Sequence, residues 1–428
     1  MEKFFEFKAR GTNLRTEILA GVTTFLTMLY IVIVNPSMFV TGNMEFGGVY
    51  IATIIATVTA TLIMGAAANY PIAIAPGLGI NAWLVYSVIV AEGVPWQEAL
   101  GAAAISSGLF IILSVTKLRE LFINSIPESL KLAMGAGIGL FVAFIGLRNG
   151  RIIISSEATS VTLGNFSDPT AYLTLIGLIA TMCLMVLRVK AAVFLGMIFT
   201  ATAAVITGHW QLPTKIFSTP HGLDQTFLQL SFADVPSLSS VIFILLLVTL
   251  FDTTGTMLGV GRQAGLIKDG KFPHFKSALL ADSVGSFVGA FCGTGPTSAF
   301  VESGTGVSVG GRTGFASVVT AILFLLLIFL EPLARSISSM PAISAPALIL
   351  TGGLMIEGIG GINWSDFTES FPAFFTMLLM PLSYSIADGV GFGMILYVIL
   401  KSVDGQASKV PPLLYALAIL FAVERFFA

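Results

Sequence analysis

Charge is scarce in this sequence: only 10% of its 428 residues are Asp, Glu, Lys or Arg, whereas 55% are hydrophobic. Soluble domains carry about 25% charged residues, so this composition excludes an ordinary soluble fold and indicates a multi-pass membrane protein. The formal net charge of −2 gives no reason to expect a nucleic-acid partner or an acidic partner.

Cysteine and histidine are almost absent. Cys183 and Cys292 both lie in apolar surroundings, and two such residues make no disulfide framework, so we interpret them as small core residues. The three histidines fall between the apolar runs, and there is no HExxH motif, no Cys/His cluster and no ATP-cradling G-x-x-x-x-G-K-[ST] loop. The sequence therefore predicts no metal and no cofactor, and it disfavours a membrane-embedded enzyme. If the protein is a transporter, the absence of an ATP-binding loop means that an ion gradient must supply the energy.

Long apolar runs fill most of the chain. A helical span needs about 20 residues, so the length allows a dozen or more spans. We predict spans near 18–40, 47–68, 72–90, 98–116, 128–147, 170–187, 190–208, 238–260, 275–292, 295–310, 313–331, 343–359, 367–383 and 386–402, with a further apolar helix over 411–427.

The basic residues predict the orientation. With the N-terminus in the cytoplasm, the cytoplasmic segments hold sixteen Lys and Arg residues and the outer segments only four. Among the cytoplasmic residues are Lys117, Arg119, Lys268 and Lys271. The positive-inside rule favours this topology, with an even number of spans before Lys401.

The order of the spans predicts an internal repeat. The longest polar connection, 209–237, has seven spans before it and seven after it. An odd number of spans in each half makes the two halves inverted in the membrane. The segments 71–83 and 293–311 are both interrupted by Pro and Gly, and each occupies the third place of its half.

These interrupted segments cannot form unbroken helices, and non-helical backbone at membrane depth survives only inside protein or beside a wet cavity. We predict extended pieces at Ala73–Pro76 and Thr297–Val301, followed by half-helices that begin near Gly79 and Ser303. The free N–H groups of the half-helices suit an anionic or hydrogen-bond-accepting ligand. Ordinary Gly-rich packing helices are the alternative, but they do not explain the paired prolines.

Two carboxylates stand where a lipid-embedded chain normally has none. Asp252 ends the apolar run 241–251, and Glu302 lies within the second interrupted segment. Such acids normally face a cavity and serve a ligand or a proton, and hydroxyls near Asp252, such as that of Thr256, offer hydrogen bonds. The alternatives are a helix cap at a kink for Asp252 and an ion pair with Arg312 for Glu302.

Other acids and aromatics have less specific interpretations. Asp282 is either the cap of an amphipathic helix or a residue that supports the site. The acids near span ends, such as Asp366, Glu369 and Asp388, are interpreted as caps or solvated side chains. Three aromatic residues adjoin the interrupted segments or the two acids, and a planar ligand could stack on one of them; they are Trp83, Phe251 and Phe300.

Several motifs together resemble a known family. They are GTNLRTEILAGVTTFLTMLYIVIVNP (11–36), NYPIAIAPGLGINAW (69–83), SLKLAMGAGIGLFVAFIGL (129–147), LFDTTGTMLGV (250–260), ALLADSVGS (278–286) and VESGTGVSVGGRTG (301–314). The chain resembles, from about 11 to 427, the AzgA-like purine permeases, which are related to the uracil and xanthine permeases.

The resemblance implies an all-α fold of fourteen spans in a seven-plus-seven inverted repeat, with short antiparallel strands in spans 3 and 10. It implies a core domain of 12–118 and 237–331 and a gate domain of 127–208 and 341–402. It also implies that Asp252 and Glu302 hold the base. One of these two acids is expected to exchange the coupling proton, and Glu302 is favoured over Asp252 for this role. The other expected contacts are Phe251, Thr256, Ile80, Asn81, Trp83, Phe300 and Ser303, supported by Thr27 and Asp282.

The expected activity is import of adenine, guanine or hypoxanthine across the inner membrane by proton symport, with Na⁺ coupling left open and a homodimer as the family suggests. Span 8 carries Asp where the uracil and xanthine branches carry the longer Glu, which favours a purine. The alternatives are a uracil/xanthine-type permease, an anion transporter of the same architecture, and a purine-binding receptor that does not transport.

Overall fold

A computed structural model describes residues 2–116, 125–267 and 272–427 of the chain. The basic residues Lys117, Arg119, Lys268 and Lys271, which contribute to the predicted orientation, lie outside the described residues. So does residue 118, the predicted end of the first core segment.

Helices dominate the described residues, because the long apolar runs satisfy their backbone hydrogen bonds internally only as helices. In chain order the α-helices are α1 (Glu2–Phe5), α2 (Leu14–Met28), α3 (Ile31–Thr41), α4 (Phe46–Ile63), α5 (Leu78–Trp83), α6 (Trp96–Val115), α7 (Glu128–Asn149), α8 (Pro169–Val186), α9 (Ala192–Ile206), α10 (Ser239–Gln263), α11 (Phe275–Cys292), α12 (Ser303–Ser308), α13 (Gly314–Leu326), α14 (Glu331–Ser338), α15 (Pro341–Leu354), α16 (Phe367–Ser383), α17 (Ile386–Val403) and α18 (Pro412–Phe427).

Ten helical stretches in the described ranges are long and apolar enough to cross a membrane. The remaining predicted spans correspond to α5 with its π-helical continuation Leu84–Ala91, to α9, to α12 with the strand before it, and to α16. The predicted fold class, an all-α membrane protein with two interrupted spans, is confirmed. The further C-terminal helix is present as α18.

The first predicted span, 18–40, corresponds to the helical stretch Leu14–Thr41, which comprises α2 and α3. Leu29 and Tyr30 lie at the junction of the two helices and keep right-handed helical dihedral angles (φ −56°, ψ −29° and φ −60°, ψ −23°). The chain therefore stays helical through the junction, and only the regular α-helical hydrogen-bond pattern is interrupted at these two residues.

Two short strands form the predicted pair at the interrupted spans. Strand β1 (Ile74–Pro76) pairs antiparallel with β4 (Thr297–Ala299), with Ala75 opposite Ser298. A second pair, β2 (Ile153–Ser156) with β3 (Ser160–Leu163), was not predicted. Its residues are mostly exposed, so the sequence carries no buried alternating pattern there.

The chain divides into two compact units, Met1–Val115 with Gly146–Ala347 and Thr116–Ile145 with Leu348–Ala428. The first unit contains both strand pairs and every residue of the predicted site. It also contains the segment 146–208, which the family resemblance assigns to the gate domain. The division into core and gate domains stays a prediction.

The second unit holds a buried ion pair of its own. The ammonium of Lys401 lies 2.7 Å from Oε1 of Glu369, which also accepts a 3.0 Å hydrogen bond from the hydroxyl of Tyr397. The interpretation of Glu369 as a cap or solvated acid is therefore wrong, because its carboxylate is largely buried and pairs with Lys401 of α17. Asp366 does cap α16, since its carboxylate accepts from the backbone N–H of Thr368 at 2.9 Å.

Candidate functional site

The paired strands are the framework of the site. Their hydrogen bonds extend beyond the pairing itself: the N–H of Gly77 donates to the carbonyl of Pro296 at 2.9 Å, and that of Phe300 to the carbonyl of Ala73 at 3.0 Å. All six strand residues are buried. One residue separates β1 from α5, and three residues separate β4 from α12. The predicted extended pieces and half-helix starts therefore agree with the structure to within two residues.

Asp252 lies within α10, well inside its bounds, so it is not a helix cap. Its side chain is half-buried, and its carboxylate lies close enough to the hydroxyl of Ser298, the middle residue of β4, for the two groups to interact. The structure thus connects this acid to the strand pair through a residue that the sequence prediction did not include.

Glu302 stands between β4 and α12 and is also half-buried. Its Oε1 accepts a hydrogen bond from the hydroxyl of Tyr30 over 2.5 Å. Among the ion pairs of the described residues none involves Glu302, and the guanidinium of Arg312 instead donates to the carbonyls of Val307 and Gly311 at 2.7 Å each. The alternative of a structural ion pair with Arg312 is therefore wrong.

The two acids come close enough for their charges to interact. Asp252 reaches the middle of β4 from α10, and Glu302 follows the end of the same strand. A ligand with adjacent N–H groups can donate to both carboxylates, because each ionised carboxylate offers acceptors in several directions. The roles predicted for Asp252 and Glu302 in holding a base stay predictions.

Asp282 is fully buried in the middle of α11, which rules out the helix-cap interpretation. Its Oδ2 accepts from the hydroxyl of Thr253 at 2.5 Å, and its Oδ1 accepts from the hydroxyl of Thr297 at 2.7 Å. Because Thr253 follows Asp252 and Thr297 begins β4, this buried acid fixes both sides of the site. The expectation that Asp282 supports the site agrees with these contacts.

The predicted contacts in α5 are buried within the protein. The amide of Asn81 donates to Oδ1 of Asn35 at 3.0 Å, and Asn35 in turn donates to Thr53 and Thr294. Ile80 and Trp83 are 3% and 1% exposed, respectively. Among the hydrogen bonds of the described residues, none joins Asn81 or Trp83 to Asp252 or Glu302, and Ile80 has no polar side-chain atom.

Of the remaining predicted residues, some hold the backbone of the site in place and others are half-buried beside it. The hydroxyl of Ser303 accepts from the backbone N–H of Ala73 at 3.0 Å, so it holds the chain beside β1. Phe300 is buried next to β4, whereas Phe251 and Thr256 are half-buried on α10. Thr27 lies 3.2 Å from the hydroxyl of Thr305, whose own hydroxyl donates to the carbonyl of Glu302.

Tyr30 and Ser298 are site residues that sequence reasoning missed. A signal for Tyr30 exists, because Thr23, Thr27 and Tyr30 recur at spacings of four and three in the first span, which places them on one helical face. The signal for Ser298 is weaker, because it is one of two hydroxyl residues in the predicted extended piece 297–301. Only the tertiary structure brings Ser298 near Asp252.

Residues 15–391 match the model of the xanthine/uracil permeases, described as a permease family. The chain belongs to this family. As a family member the permease is a multi-pass membrane transporter and not an enzyme. Among its described residues, no group of three or more His, Cys, Asp and Glu side chains lies together where it could hold a metal ion.

Several purine permeases align with nearly the whole length of this permease. A guanine/hypoxanthine permease of Bacillus subtilis, PbuO, is 46% identical over 99% of each chain. An adenine permease of Escherichia coli, AdeP, is 38% identical over 100% of this chain and 96% of its own. Among solved structures, the transmembrane domain of the cyanobacterial bicarbonate transporter BicA matches with a TM-score of 0.67 at 15% identity, covering 88% of this chain and 97% of its own. That likeness supports the fold alone.

Proposed function

We propose that this permease imports purine nucleobases (guanine, hypoxanthine or adenine) together with protons. The observation that carries the proposal is the placement of two half-buried acids, Asp252 and Glu302, at one pair of antiparallel strands. Asp252 and Glu302 accept hydrogen bonds from the base, and Glu302 carries the coupling proton.

The acids and aromatic residues near the strand pair support a planar substrate with N–H donors. Purine bases offer such donors at their edge, and the carboxylates offer acceptors. Phe300 and Phe251 adjoin the two acids in sequence and present aromatic faces on which a flat ring can stack. The names of relatives that align over nearly the full length, purine permeases in both cases, agree with this chemistry.

The setting of Glu302 supports proton coupling. A carboxyl group at membrane depth is stable either protonated or with strong donors, and Glu302 has such a donor in Tyr30. It can therefore occupy both protonation states during a transport cycle, in which the site opens to the two sides of the membrane in turn. We place the permease in the inner membrane with a cytoplasmic N-terminus, and we expect a homodimer.

The second candidate function is anion transport, because a bicarbonate transporter shares the fold. Two acids at the strand pair disfavour an anionic substrate, since each carboxylate would repel it. A purine-binding receptor that does not transport is the candidate from another class.

Uptake of radiolabelled bases into cells that lack purine transport tests the proposal. We expect accumulation of at least one purine above the outside concentration, loss of accumulation with a proton uncoupler, and no change when choline replaces Na⁺. Excess unlabelled uracil, xanthine and bicarbonate serve as competitors. Competition by bicarbonate without competition by purines would favour the anion transporter, and binding without uptake in proteoliposomes would favour the receptor.

A further inference from the structure

Tyr30 lies at the junction of α2 and α3 in the first span, and its side chain is fully buried. The phenol extends to the second interrupted segment and donates to Oε1 of Glu302 at 2.5 Å. Because the backbone stays helical through the junction, Tyr30 lies on the same face as Thr27, one turn earlier, and this face meets an acid 272 residues later in the chain.

A second contact runs parallel to the first. Thr27 precedes Tyr30 by three residues, and its hydroxyl lies 3.2 Å from that of Thr305, which follows Glu302 by three residues. The backbones are also close here, because a Cβ on Gly306 would lie 2.2 Å from the hydroxyl oxygen of Thr24. The end of α2 and the start of α12 are thus fixed against each other, and Tyr30 faces Glu302 in a defined geometry.

The direction of this hydrogen bond determines its effect. A phenol donates, and a donated hydrogen bond favours the ionised carboxylate over the neutral acid. When Glu302 takes up a proton, Oε1 either carries that proton or becomes a weaker acceptor, so the bond to Tyr30 weakens. The bond therefore opposes protonation of Glu302 and favours the release of its proton.

We infer that Tyr30 is a positioning residue that holds Glu302 and sets the external pH at which the permease takes up its coupling proton. The inference rests on the proposed function, because it assigns a residue to the proton step of that function. Tyr30 itself neither gains nor loses a proton in this role.

The substitution Tyr30→Phe removes only the donor hydroxyl. Without the donor Glu302 keeps its proton to a higher pH, so we expect the alkaline limb of purine uptake to move upward by about one pH unit. Glu302→Asp shortens the acid and withdraws it from the phenol, so it is expected to move the limb in the same direction. This second variant keeps the test valid if Tyr30→Phe does not fold.

Tyr50→Phe is a matched control. Tyr50 is another fully buried tyrosine of the first unit, and its hydroxyl donates to the backbone carbonyl of Leu327 at 2.6 Å. The control therefore loses a buried phenol hydrogen bond that does not involve an acid. We expect it to lower thermal stability without moving the pH profile.

The experiment measures initial uptake of labelled purine from pH 5 to 9 in proteoliposomes that hold the whole permease. An upward shift in Tyr30→Phe or Glu302→Asp, absent in Tyr50→Phe, supports the inference. The same pH profile of uptake in the unmodified permease, Tyr30→Phe and Tyr50→Phe would overturn the inference. Purine uptake by the unmodified permease would still support the proposed function in that case. A parent that takes up purine without any pH dependence would overturn both the inference and proton coupling, and a parent without uptake would overturn the proposed function as a whole.

Discussion

Asp282 and Thr297 are joined by a hydrogen bond of 2.7 Å between the Thr297 hydroxyl and Oδ1 of the acid, which ties β4 to the middle of α11. The same acid binds Thr253, the neighbour of Asp252, through its other oxygen. One buried carboxylate therefore sets the position of the strand and of the helix that carries the first site acid.

The first prediction concerns this acid. Asp282→Ala leaves the buried hydroxyl of Thr253 without its acceptor and removes one of the partners of the Thr297 hydroxyl, so we expect a loss of about 2 kcal/mol in the free energy of unfolding, together with weaker purine binding. Thermal unfolding in detergent and calorimetry measure the two effects. Thr181→Val is a suitable control, because its buried hydroxyl bonds only the carbonyl of Gly177 on its own helix. Equal losses in both variants would contradict the role given to Asp282.

The second prediction concerns Asp252. Asp252→Asn removes a charged acceptor and places an amide donor against the N–H edge of the base, so purine binding is expected to weaken by about 10- to 100-fold. Calorimetry on the purified permease checks this, with the exposed acid Asp224, in the segment between α9 and α10, tested as Asp224→Asn for comparison. Unchanged affinity in Asp252→Asn would remove this residue from the site.

The third prediction separates binding from coupling. Glu302→Gln keeps the size of the side chain but cannot exchange a proton, so accumulation against a gradient is expected to disappear while purine exchange between the two sides continues. Counterflow in proteoliposomes measures exchange, and uptake driven by an imposed pH gradient measures coupling. Glu157→Gln, at an exposed acid between β2 and β3, is expected to retain both activities. Concentrative uptake by Glu302→Gln would refute the assignment.

The fourth prediction tests the close approach of two spans. A Cβ on Gly314 would lie 2.0 Å from the carbonyl oxygen of Gly65, so the backbone must move to accommodate even a methyl group. We expect Gly314→Ala to destabilise the permease by about 3 kcal/mol. Gly259→Ala, where a Cβ meets nothing within 4 Å, is expected to be neutral or slightly stabilising because alanine favours the helix. A melting temperature that is the same in both variants would contradict the packing.

The fifth prediction concerns pH and Glu45, which caps the N-terminus of α4. Burial of the Glu45 carboxyl opposes ionisation, but hydrogen bonds from Arg335 and from the backbone N–H groups of Gly48 and Gly47 outweigh it and lower the pKa of Glu45 below its ordinary value of 4.5. A lowered folded-state pKa gives stability that is complete above the ordinary value and is lost as the pH falls through the lower one.

Glu45→Gln is therefore expected to cost about 1 kcal/mol at pH 7, and this difference from the parent should vanish in acid. Thermal melts of both proteins across the acidic range measure it. A difference that persists unchanged at the lowest pH would show that packing, rather than the charge on Glu45, stabilises this end of the helix.

Much of the framework follows from the sequence. The apolar runs predict the spans, and Pro76, Gly77 and Pro296 predict where the third and tenth spans stop being helical, because proline removes a helical hydrogen bond and clashes with the preceding turn. The antiparallel pairing of the two strands is what the family resemblance implies, and the structure has it. The exposed pair β2–β3 was missed because its residues show no apolar alternation.

The two acids were found from the sequence because a carboxylate within an apolar run is costly wherever the chain places it. That cost depends on the residue and its sequence neighbours, so the sequence by itself determined both the class of protein and the two candidate site acids. The partners of those acids were decided only by the tertiary structure. Tyr30, Ser298 and the bonds of Asp282 come from other spans, and a hydrogen bond forms only where folding brings donor and acceptor to within about 3 Å, a distance that spacing along the chain does not specify.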